Sequence, residues 1–229
     1  MRCIFVLDIF NGAVVHAVRG ERGLYEPIER HSRIVSTSDP LGVLGAVRPR
    51  EVYVADLNRL MGLGDGLDAV RAISGMVMTM ADIGISLPWE LELLPEGAVP
   101  VLGTETASLE LMKEAALRRR IVVSMDLRGR RLVSRDPELA GRGPIWLLRR
   151  LNSLPLESVV LLDLERVGTA SGLDLELLRK ASSISEHPLI LGGGVRGTED
   201  IELLHDAGFS GALVATAVHS GRIPLEMIR

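Results

Sequence analysis

The chain has 229 residues, 47% of them apolar and only 3% aromatic, with a formal net charge of −4. That length suits one α/β barrel, and the apolar share is enough for a large core of aliphatic side chains. The mild charge excludes nucleic acid as a partner. No apolar run reaches the roughly 18 residues of a membrane span, and the opening apolar run is too short for a signal peptide, so a cytoplasmic protein is expected.

The first predicted strand is Cys3–Leu7, and its lone cysteine reads as a buried core thiol. Asp8 follows, then the turn signal Asn11-Gly12 and a short strand Ala13–Val18. The second strand, Glu51–Ala55, ends at Asp56 and leads into the glycine-rich loop Gly62–Gly66. Strands at Met76–Met80 and Ala98–Leu102 come next. A helix over Ser108–Leu117 then ends in Arg118-Arg119-Arg120, where cations complement the helix dipole. The fifth strand, Ile121–Met125, ends at Asp126 and is followed by a second short strand, Arg131–Val133. The remaining pattern alternates: helix Ile145–Leu151, strand Ser158–Leu162 ending at Asp163, helix Asp174–Ser182, strand Pro188–Leu191, helix Thr198–Asp206 and strand Gly211–Ala215. Eight nearly continuous apolar strands, with helical spacing clear in four of the intervening segments, predict an α/β fold of the closed (β/α)8 type, a TIM barrel.

An internal repeat runs through this pattern. Val6–Val15 can be laid on Ser124–Val133, Val52–Leu57 on Val159–Leu164, and Leu102-Gly103-Thr104 on Val214-Ala215-Thr216. The repeat predicts one domain over residues 1–229 made of two half-barrels, about 1–118 and 119–229. It also puts Asp8 and Asp126 at equivalent ends of the first and fifth strands, which lie opposite each other in an eight-stranded barrel. Carboxylates at the C-terminal strand ends occupy the catalytic face. An opposed pair can divide the work, one keeping its proton as acid and the other ionised as base; the residues themselves do not say which is which. Asp56 and Asp163 also end strands and join the candidate substrate-binding set, although an aspartate there also serves simply as a cap.

Leu191-Gly192-Gly193-Gly194-Val195 ends the seventh strand and runs toward a helix, and Val214-Ala215-Thr216 ends the eighth. The loops after these strands are the usual barrel phosphate site, so Gly193, Gly194, Ala215 and Thr216 are the candidate anion cradle. His16, His31, His187, His205 and His219 share no metal-ligand spacing. The lysines, Lys113 and Lys180, fall within helical patterns, which argues against Schiff-base chemistry. No metal and no organic cofactor are expected. The expected partner is a small phosphorylated substrate, and the oligomeric state is left open.

Three segments carry a family resemblance: Val6–Val15, Leu162–Gly172 and Ile190–Val195. They resemble the phosphoribosylformimino-aminoimidazole-carboxamide ribotide isomerase of histidine biosynthesis and its sister cyclase, and the likeness extends from Cys3 to the C-terminus. The resemblance implies an aldose–ketose (Amadori) rearrangement, with Asp8 as base at C2 and Asp126 as acid at the ring oxygen. It also implies a second phosphate site, after strands three and four. There Gly103-Thr104 matches the family pattern, but Met80-Ala81-Asp82-Ile83-Gly84-Ile85-Ser86 stands where the family has a Gly-Gly-Gly-Ile-Arg type motif. Leu162 and Val167 replace a usual threonine and a catalytic aspartate. These departures predict an isomerase acting on a smaller or singly phosphorylated sugar or aminosugar. The alternatives are a cyclase or lyase of the same family and a non-catalytic barrel that binds a phosphorylated ligand. Val6 in place of the cysteine common before Leu-Asp in the cyclase favours the isomerase branch.

Overall fold

A computed structural model describes residues 1–229. Eight parallel strands close on themselves: β1 (Arg2–Phe10), β2 (Glu51–Asp56), β3 (Met78–Asp82), β4 (Ala98–Gly103), β5 (Val122–Arg128), β6 (Ser158–Asp163), β7 (Leu189–Gly192) and β8 (Gly211–Val214). Each pairs with the next, and β8 returns to β1 with Arg2 opposite Gly211 and Phe5 opposite Val214. Closure leaves no edge for another chain to extend.

Side-chain alternation along these strands sorts the core into two layers. Ile4, Tyr53, Met80, Val101, Val122, Val160, Ile190 and Leu213, one from each strand, fill the lumen. Phe5, Leu7, Val54, Val123, Leu161 and Val214 point the other way and join the layer beneath the helices. Cys3 is buried and free in that outer layer, as its place in the first strand implied. Apolar side chains dominate the lumen below the strand tops, where Asp8, Asp82 and Asp126 stand on the first, third and fifth strands.

Two of the expected helices start at side-chain caps. Ser108 caps Leu109–Arg118 by accepting from Leu111 N, and Asp174 caps Leu175–Ser182 by accepting from Leu177 N. Pro144–Leu151 and Thr198–Asp206 are also helical. No helix is long and apolar enough to cross a membrane. After β3 a short 3-10 segment, Pro88–Leu93, takes the place of a full helix. β3 itself starts two residues later than expected, because Met76 and Val77 still donate to Ile73 O at the end of the preceding helix. The Ala13 strand ends at His16, and the chain then reaches positive φ at Arg19. It pairs antiparallel with β1, Ile9 opposite Val14, and Arg131–Leu132 pairs in the same way with β5, Leu127 opposite Leu132. The strands that carry Asp8 and Asp126 therefore each bear a hairpin over the catalytic end.

Arg119 has a role that helix-dipole reasoning missed. Its guanidinium donates to the carbonyls of Leu91, Leu94, Pro95 and Ala98, tying the irregular segment after β3 to the end of the next helix.

Candidate active site

The C-terminal end of the barrel opens into a cavity of about 230 Å³. Asp8, Asp82 and Asp126 share its floor, and Gly193, Gly194, Ala215 and Thr216 line one side. Asp8 and Asp126 thus reach one pocket together with the glycine turn.

Asp126 is held on several sides. Its Oδ2 accepts from Glu105 N at 2.9 Å and its Oδ1 from Ser124 Oγ at 3.0 Å. Thr104 contributes twice: its Oγ1 accepts from Asp126 N at 3.0 Å and lies 3.4 Å from Asp126 Oδ2. Asp8 has the opposite character. It is open to the cavity and shows no side-chain hydrogen bond or ion pair. Burial, reinforced by the charge of Asp82, pushes both Asp8 and Asp126 up to about 7. Taking a carboxylate out of water penalises the ionised form, and a like charge nearby adds to that.

Asp82 is the third carboxyl. Its Oδ2 accepts from Tyr53 Oη at 3.0 Å and its Oδ1 from Gly84 N at 3.1 Å. Burial raises it to about 6, while the two donors hold it below the other pair. A Cβ built on Gly103 would lie 3.0 Å from Asp126 Oδ2 and 3.6 Å from Asp82 Oδ2. Glycine at the end of β4 therefore makes room for the two carboxylates to crowd one point.

At the opposite wall, Gly193 has φ +90° and a Cβ there would meet Asp163 O at 2.5 Å; Gly194 has φ +87° and would meet Gly172 O at the same distance. Both positive φ and close backbone approach exclude a side chain. Gly194 N already donates to Arg166 O.

The other sequence candidates have different uses. Asp56 is fully buried and caps the following turn, accepting from Arg59 N at 3.2 Å and Gly66 N at 2.7 Å. That second bond ties down the Gly62–Gly66 loop. Asp163 pairs with Arg166 at 2.9 Å outside the main cavity. Thr104 is buried behind Asp126 instead of facing a ligand. After β3, Ile83 and Ile85 are buried in the core, and the N–H groups of Ser86 and Leu87 donate to Glu90 Oε2.

Several lining residues escaped sequence reasoning. His16 Nε2 sits 3.4 Å from Thr216 Oγ1, beside the candidate cradle, and its ring stacks on His31 at 4.6 Å. His219 is buried against Ser32, and burial lowers it to about 4. Arg22 reaches from the loop after β1 to both oxygens of Glu105, at 2.9 and 2.8 Å, spanning the mouth. Only the hairpin turn after Asp8 signalled that this loop would fold back over the site. At strand six, Leu162 and Val167 give the cavity an apolar wall.

A family model described as "Histidine biosynthesis protein" matches residues 2–224. An uncharacterized protein of Methanocaldococcus jannaschii is 32% identical, over 100% of this chain and 97% of its own. A Thermus thermophilus protein named as a phosphoribosyl-(phosphoribosylamino)methylideneamino-imidazole carboxamide isomerase is 30% identical, over 99% of this chain and 97% of its own. The Myxococcus xanthus protein of the same name is 28% identical, over 100% of this chain and 98% of its own.

Proposed function

Because the chain belongs to the histidine biosynthesis protein family, we propose that it is an aldose–ketose isomerase acting on a singly phosphorylated sugar or aminosugar, with Asp8 as base and Asp126 as acid. The observation that carries this reading is the opening of both carboxyls into the cavity that the Gly193–Gly194 turn and Thr216 also line. In the rearrangement, Asp126 gives its proton to the ring oxygen as the C1–O bond breaks and the nitrogen lone pair forms the imine. The carboxylate of Asp8 then takes the proton from C2, and the electrons move to give an enolamine. Return of a proton to C1, with loss of the hydroxyl proton on C2 as its C–O bond becomes the carbonyl, leaves the aminoketose. Carboxyls near 7 suit this division, because at neutral pH one can be charged while the other holds its proton.

The phosphate is assigned to the turn after β7 and the start of the segment after β8. A second phosphate has little support. The strand-three position carries the Asp82 carboxylate, the next segment is buried aliphatic, and the N–H groups beyond it already serve Glu90. Placing like charges together costs on the order of several kcal/mol. The relatives named as isomerases act on a substrate with two phosphoribosyl groups; this chain is assigned a smaller one, and the apolar wall of Leu162 and Val167 accords with that.

The test is loss of the C2 proton from singly phosphorylated aminoaldoses in deuterated water, followed by NMR. The wild type should exchange it, and Asp8→Asn and Asp126→Asn should not. Turnover of the doubly phosphorylated histidine intermediate at ordinary enzyme rates would overturn the single-phosphate assignment. Exchange that survives in both variants would remove the catalytic one.

A further inference from the structure

We propose that Asp82, set by Tyr53 between the two reacting carboxyls, is a specificity residue that receives a protonated amino group of the substrate, separate from the nitrogen at C1 that forms the imine and remote from the phosphate. This rests on the phosphate and isomerase assignments above and narrows them to an amine-bearing sugar phosphate.

Charge balance motivates it. Asp8, Asp82, Glu105 and Asp126 all face the cavity, against two guanidiniums, Arg22 and Arg128. Arg22 is already paired with Glu105 through both carboxylate oxygens. Arg128 stands exposed at the rim. The floor therefore carries negative charge with no protein cation of its own. A neutral polyol would fill hydrogen bonds but leave that charge in place, and a second anion would add to it. An ammonium group offsets it, and it carries three donors with no acceptor.

The unfilled hydrogen-bonding capacity points the same way. Asp82 accepts one bond at each oxygen, from Tyr53 and from Gly84, and an ionised carboxylate has room for about four. Tyr53 cannot take over the role of Asp82, because its proton is already committed to Oδ2. The lack of a side chain at Gly103 keeps the space beside Asp82 and Asp126 open.

Calorimetric titration with matched probes tests this: inorganic phosphate, glucose 6-phosphate, its amino counterpart glucosamine 6-phosphate, and fructose 1,6-bisphosphate. Near neutral pH the wild type should bind the amino sugar at least about tenfold more tightly than glucose 6-phosphate, the scale of one charge-assisted hydrogen bond, and the bisphosphate most weakly of the three sugars. In Asp82→Asn the amino sugar and glucose 6-phosphate should come within about twofold of each other, with binding of inorganic phosphate unchanged. If the sugar phosphates bind without an amine preference, or the preference survives in Asp82→Asn, the role of Asp82 is overturned and the phosphate assignment stands. If no probe binds, inorganic phosphate included, both fall. The wild-type comparison decides the question even if the variant fails to fold.

Discussion

Replacing Asp82 with Asn should stabilise the protein in alkaline solution and destabilise it in acid. Burial raises Asp82 from 3.8 to about 6, and each pH unit between those values is worth about 1.4 kcal/mol. A carboxyl raised in the fold weakens stability as pH climbs from its unfolded value to its folded one, and the full penalty persists above that. Near pH 8, neutralisation therefore removes about 3 kcal/mol of unfavourable ionisation. Asparagine keeps only one acceptor oxygen, so the bond from either Tyr53 Oη or Gly84 N is lost, at about 1 kcal/mol. The net gain of about 2 kcal/mol raises Tm by roughly 4–8 °C for a chain of this size. Near pH 4 most of the ionisation penalty has gone, the lost bond outweighs what remains, and Tm falls by about 1–2 °C. Thermal melts of both proteins across that range measure the difference. A Tm change of the same sign and size at both ends would refute the claim that Asp82 is a buried charge held at a cost.

With a turned-over aminosugar phosphate in hand, kcat/KM should follow a bell centred near pH 7, since Asp8 must be ionised and Asp126 protonated and both lie at about 7; the two limbs belong to the coupled pair, and a flat profile from acid to alkaline pH would exclude the assignment. Asp8→Asn and Asp126→Asn should each lower turnover by at least about 100-fold, while calorimetry shows inorganic phosphate still bound. Gly193→Ala forces a side chain into φ +90° and against Asp163 O; chemical denaturation should show a loss of about 2 kcal/mol or more, with weaker phosphate binding. Arg119→Ala frees the four carbonyls it now holds, and should cost about 2 kcal/mol or more in the same assay with no change in phosphate affinity.

The barrel was legible because its strands are buried on both faces and so read as apolar runs, and because Asp8 and Asp126 recur at matched points of an internal repeat. Their meeting in one cavity follows from strand order alone. Asp56, Asp126 and Asp163 look alike in sequence, each an aspartate ending a strand. Only the turn that follows shows that Asp56 caps one loop and Asp163 pairs with Arg166, whereas Asp126 faces the cavity. Thr104 had the spacing of a ligand contact, yet its hydroxyl is used by Asp126 N across two neighbouring strands, a non-local bond that no local pattern encodes. His16 and Arg22 were unreadable for a related reason: their positions depend on how the loop after β1 folds back, which is set by contacts such as Arg19 N to Val167 O. The helix missing after β3 had a local clue in Pro88, and its stabiliser, Arg119, lies 31 residues further along the chain.

The central claim is that two opposed carboxyls titrate near neutrality, so that one can be ionised while the other holds its proton, in a pocket that also binds phosphate. Carbon NMR of protein labelled at aspartate side chains, assigned with the Asn variants, reads this directly. Asp8 and Asp126 should titrate near 7, well above the ordinary carboxylate range, and both should shift on addition of inorganic phosphate. Titration of both near 4, unmoved by phosphate, would contradict it.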